Sequence, residues 1–203
     1  MSLADADVVP DVARIAVLRA NGLGDLIVAL PALDALRAAY PAAEIVLLAT
    51  AMHAALLRGR PGPVDRVVVA PPSRGVNGDA DTVEDPATLD AFFAALARER
   101  FDLALQLHGG GRHSNPFLLR LGARFTAGLR TPDAPPLDRW LPYIYFQPEI
   151  FRYLEAVALV GARPVGFAPR LAVTARDLAA AEAAVPEDGR PLVALHPGAT
   201  DPR

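Results

Sequence analysis

Short apolar runs recur along the chain at 14–19, 44–49, 65–70, 101–107 and 123–129, and stretches with helical spacing of apolar residues separate most of them. Runs that are apolar on successive residues, not every second one, suit strands buried on both faces. Their alternation with helices predicts a parallel sheet covered on both sides. Helices are expected over 52–57, 87–100, 117–121 and 149–160, the last closed by Gly161, with a further strand and helix at 170–173 and 177–184 and a final strand at 191–195. Two segments do not fit the alternation. Residues 71–86, PPSRGVNGDADTVEDP, are almost without apolar side chains and predict an exposed loop. Residues 130–148 hold five prolines and the aromatics Trp140, Tyr143, Tyr145 and Phe146, and predict irregular backbone.

In such sheets ligands collect at the carboxyl ends of strands, where helix N-termini present backbone N–H groups. The first strand ends in Ala20-Asn21-Gly22-Leu23-Gly24, and Asp25 opens the helix that follows. A dinucleotide fingerprint needs a third glycine, but Ile27 stands there, and the second strand ends in Ala49-Thr50 where a ribose-binding acid belongs. No Gly-Lys-Ser/Thr follows either, which excludes a P-loop. Asp25 has two readings, an acid favoured by the helix dipole and a general base facing a cleft. The fourth strand empties into His108-Gly109-Gly110-Gly111-Arg112-His113-Ser114. Glycines that let backbone N–H groups approach an anion, beside a guanidinium fork, suit a phosphate or carboxylate, and a plain glycine connection is the alternative. The aromatics of 140–146 could flank a glycan or touch a membrane; packing of their loop onto its own domain is the preferred expectation.

Composition narrows the chemistry. All 20 basic residues are Arg, spread along the chain, and the net charge is −3, so no affinity for nucleic acid is expected. The absence of cysteine excludes disulfides, zinc thiolate sites and cysteine nucleophiles. The acidic start, MSLADADVVP, does not read as a secretory signal, and a cytoplasmic protein is expected.

The segment RIAVLRANGLGDLIVALPALDALR resembles the start of the glycosyltransferase family 9 proteins, the ADP-heptose:lipopolysaccharide heptosyltransferases. Three further stretches agree with them: 102–106 before the glycine-arginine loop, Glu149-Ile150-Phe151-Arg152-Tyr153-Leu154 leading to Gly161-Ala162, and Leu195-His196-Pro197-Gly198-Ala199. The resemblance implies a GT-B architecture of two Rossmann-like domains facing across a cleft, with the acceptor on the N-terminal one and the ADP-sugar on the C-terminal one. It implies Asp25 as the general base of an inverting transfer. It implies acceptor contacts from Asn21, Gly24, His108, Arg112, His113 and Ser114, and donor-phosphate contacts from Gly198, Thr200 and Arg203. Neither a cofactor nor a metal is implied. ADP-heptose is the expected donor and a lipopolysaccharide core the expected acceptor, with peripheral contact at the cytoplasmic face of the inner membrane. Family members often carry a His before the helix that opens here at Glu149, where this chain has Gln147-Pro148.

The expected organisation is a leader over 1–13, the acceptor-side domain over 14–165, and a linker with the first part of a donor domain over 166–203, a second α/β unit started and not completed by Arg203. Two other readings stand beside a glycosyltransferase: an acceptor-binding domain without activity on its own, and an NAD-dependent dehydrogenase or epimerase.

Overall fold

A computed structural model describes residues 7–79, 81–185 and 192–195. They divide into two units, 1–172 and 173–203. The first carries a six-stranded, wholly parallel sheet of order β3-β2-β1-β4-β5-β6. Its strands are β1 (Arg14–Leu18), β2 (Glu44–Ala49), β3 (Arg66–Val69), β4 (Leu103–Gln106), β5 (Phe125–Arg130) and β6 (Arg139–Pro142). The helices are α1 (Leu23–Ala39), α2 (Ala51–Leu57), α3 (Pro86–Ala97), α4 (Ser114–Leu119) and α5 (Glu149–Ala158).

Alternation along the strands sorts the core into two layers. Ile15, Val17, Ile45, Leu47, Leu103 and Leu105 face α1 and α5, whereas Ala16, Leu18, Val46, Leu48 and Ala104 face α3 and α4. Each fully buried Leu contributes about 1.5–3 kcal/mol, so both faces hold the sheet. α1 runs against α5 and buries Leu26, Leu30, Leu33 and Leu36 among others, which is why its sequence is apolar on most sides. Pro31 is accommodated inside this helix. Within the α1–α5 layer Tyr40 ties the end of α1 to its neighbours, its hydroxyl donating to the Val160 carbonyl at 2.6 Å and accepting from the Val9 N–H at 3.0 Å.

Three sequence expectations change. The 130–148 segment is not wholly irregular, because β6 pairs with β5 along Arg139–Pro142. Pro142 ends this edge strand, where a missing N–H is tolerated. The 71–86 loop is not simply exposed, since Ser73 and Val76 are buried and the Asn77 side chain bonds the Ala70 carbonyl and the Ser73 N–H. No strand forms at 170–173, and residues 192–195 are exposed and not in a strand. The second unit contains α6 (Ala175–Ala184), capped by Thr174 and Asp177 bonding reciprocally. Among the described residues no helix is long and apolar enough to cross a membrane.

Candidate active site

The strand order reverses between β1 and β4, which both neighbour each other and run in the same direction. The loops leaving these two strands therefore diverge over a crevice, the usual ligand position in an open α/β sheet. Arg19 and the turn 20–22 come from β1, and residues 107–113 from β4.

Asp25 is the third residue of α1. One of its carboxylate oxygens accepts from the N–H of the N-cap residue Gly22 at 2.9 Å, and the other from Arg19 Nη2 at 2.8 Å. Its side chain is 34% exposed, whereas that of Arg19 is 2% exposed. The carboxylate is thus fixed from beneath by a buried cation and keeps access to solvent. Arg19 also donates through Nε to the Asp25 carbonyl at 3.0 Å and through Nη1 to the Leu107 carbonyl at 3.1 Å. Charge-assisted bonds from a planar fork hold geometry tightly.

Two buried histidines brace the same turn. His108 accepts from the Ala20 N–H through Nδ1 at 3.3 Å, which leaves Nε2 as the protonated nitrogen for its backbone bond with Gly75. Burial, reinforced by the Arg19 charge, lowers its pKa to about 4, so the ring is neutral near pH 7. His53, at the start of α2, has Nε2 3.2 Å from the Gly22 carbonyl, and burial lowers its pKa as well.

Beside this turn lies a cleft of about 450 Å³ whose walls include Asn21, His108, Arg112, His113, Ser114, Thr131, Asp133, Tyr143 and Tyr145. Five of the six residues expected at an acceptor site thus share one cavity. Gly24 is not in its lining; it is exposed on the first turn of α1, next to Asp25. The five are not equivalent. Ser114 is buried, its hydroxyl donating to the His108 carbonyl and accepting from Gln106 Nε2, and both His108 nitrogens are engaged. These two shape the wall. Arg112 has a side chain 73% exposed and a loose ion pair to Asp133 at 3.7 Å, so its fork remains accessible to an anion. His113 and Asn21 are likewise exposed.

The glycine loop takes its form from close approaches. Gly111 has φ +92°, and a β-carbon there would meet the Asn115 amide at 2.6 Å. Gly75 has φ +65°, and a β-carbon on it would strike the His113 ring at 2.5 Å. Any larger residue at either position would open the wall.

Several residues that shape the site were not singled out from the sequence. Gln106, fully buried at the end of β4, bonds the His108 and Gly109 carbonyls and the Ser114 hydroxyl with its amide nitrogen and accepts from the Leu129 N–H. Arg152 on α5 donates to the Ile144, Tyr145 and Gln147 carbonyls and stacks on Tyr143. That fastening bears on the aromatics. Tyr143 packs as expected, and Trp140, 41% exposed, lies against Arg130, but Tyr145 and Phe146 are 75% and 93% exposed. Packing therefore accounts for half of the cluster, because Arg152 holds the loop by its backbone and leaves its tip in solvent. An Arg closing an apolar run just before a glycine turn was the available clue to Arg19.

Gly198, Thr200 and Arg203, expected at donor phosphates, lie outside the described residues. Among the described residues, no group of three or more His, Asp or Glu side chains is arranged to hold a metal ion.

The sheet order, the parallel strands and the crevice at their reversal define a Rossmann-like α/β fold. No family model matches the sequence, and no curated protein matches it. Solved structures do. A family 9 glycosyltransferase from Veillonella parvula superposes with a TM-score of 0.61 at 17% identity, over 87% of this chain and 51% of that one. E. coli ADP-heptose lipopolysaccharide heptosyltransferase II gives 0.59 at 17% identity, over 85% and 50%. E. coli heptosyltransferase WaaC with ADP gives 0.53 at 19% identity, over 77% and 48%. The chain spans about half the length of these structures, and its fold is that of one half of a GT-B heptosyltransferase.

Proposed function

We propose that this chain is the acceptor-side part of an inverting glycosyltransferase of the family 9 type, acting on an ADP-sugar such as ADP-heptose and a lipopolysaccharide core. The observation that carries the reading is Asp25, a solvent-accessible carboxylate held on a buried guanidinium at the sheet's reversal point, beside a cleft with an exposed arginine. A sugar hydroxyl attacks an anomeric carbon poorly until a base takes its proton in the transition state. Asp25 accepts that proton as the new C–O bond forms, and the bond to the diphosphate breaks with its electron pair leaving on ADP. Arg112 and His113 hold an anionic group of the acceptor, with the neutral His108 and Ser114 as a rigid wall behind it. Gly198, Thr200 and Arg203 are proposed to meet the donor phosphates. The reaction belongs to the cytoplasmic face of the inner membrane, where Tyr145 and Phe146 offer an apolar contact.

The test is transfer of labelled heptose from ADP-heptose to a heptose-free core acceptor by the natural gene product. Turnover is expected, and Arg112→Ala should raise the acceptor KM about tenfold with kcat little changed, the scale of one charge-assisted hydrogen bond. An unchanged acceptor KM would remove Arg112 from the site. Because the chain spans half of its structural relatives, a second reading is kept: alone, it binds acceptor without turning over. Transfer by the 203-residue chain itself would contradict that reading.

A further inference from the structure

The Arg19 guanidinium is shared. Besides Asp25, its Nη2 lies 3.5 Å from Oε2 of Glu149, a residue 130 positions away at the start of α5. The other Glu149 oxygen accepts from the Tyr153 hydroxyl at 3.0 Å and from Arg152 Nη1 at 3.4 Å. Arg19 and Arg152 are both buried, with side chains 2% and 3% exposed, whereas Glu149 is 39% exposed. Arg19 would stay where it is without Glu149, because the backbone carbonyls of Asp25 and Leu107 also hold it. A carboxylate facing an uncompensated guanidinium keeps its charge too firmly to serve as a base.

From this geometry, and resting on the reading of Asp25 as the base, we infer that Glu149 is a positioning residue. It takes a share of Arg19, occupies Arg152, and so leaves the Asp25 carboxylate able to accept a proton. The remaining charged and titratable neighbours do not substitute for it. His53 from α2 and His108 after β4 are held neutral by burial, and burial pushes the Tyr153 hydroxyl upward, so it remains a donor to Glu149. Within this network Glu149 is the second anion, set against two cations.

Carboxyl NMR titration of the 203-residue chain, with the Asp25 resonance assigned by its loss in Asp25→Asn, tests the inference without catalysis. Glu149→Gln, which keeps the shape and removes the charge, should move the Asp25 titration to lower pH. Glu149→Asp, which keeps the charge on a shorter arm, should move it less. In the natural gene product, Glu149→Gln should shift the acid limb of the rate profile the same way and lower kcat about tenfold at constant acceptor KM, with Glu149→Asp restoring most of it. An Asp25 titration unmoved in both variants overturns the inference and leaves the base assignment standing. Turnover by Asp25→Asn would remove the base assignment instead.

Discussion

At the scale of single residues, the site rests on two histidines whose burial disfavours a charge. His108 takes a proton near pH 6.5 when unfolded and near 4 when folded. The unfolded chain therefore binds more protons between those values, and the stabilisation is complete above about pH 6.5 and lost as pH falls toward 4. The depression corresponds to roughly 3 kcal/mol for a group this buried. His53 is lowered in the same direction. Urea denaturation at pH 7 and 4.5 should show the loss, and His108→Gln, which can still accept from Ala20 and donate to Gly75, should flatten part of it. An identical pH dependence in that variant would contradict the assignment. Asp25 and Arg112 were candidates from the sequence because a carboxylate after a glycine turn and an Arg in a glycine loop are local patterns, and the family resemblance chose the base reading of Asp25 over a helix-start acid. His53 and Glu149 were not, because each acts through a partner brought to it by the fold.

Among the elements, β1 with α1 and β4 with its glycine loop were plain from apolar runs and turn chemistry, and β2 was predicted to the residue. β6 was hidden, since Arg139 to Pro142 alternates in burial, lies among prolines and becomes a strand through its pairing with β5. The 71–86 loop misled for a similar reason: its polar side chains bond its own backbone and so let Ser73 and Val76 be buried. The loop after β4 depends on Gln106, whose amide joins two carbonyls, a hydroxyl and the Leu129 N–H. Gln106→Leu would leave these buried groups short of partners and should cost about 2–4 kcal/mol in chemical denaturation. A loss below about 0.5 kcal/mol, the scale of an ordinary surface substitution, would mean that the loop is held by other contacts.

For the molecule as a whole, the alternating pattern carried the parallel sheet, and the sheet carried the location of the crevice. A dinucleotide reading finds no support in that crevice. His53 Nε2 sits against the Gly22 carbonyl, and β2 ends in Ala49 and the N-cap Thr50 without an acid. The proposed transfer turns on one carboxylate, Asp25. The direct measurement is heptose transfer from ADP-heptose by the natural gene product carrying Asp25→Asn, with donor binding followed in parallel. Loss of a general base lowers turnover by about 10²–10⁴-fold, so kcat should fall by that much with donor affinity kept; turnover at the wild-type rate would rule out Asp25 as the base.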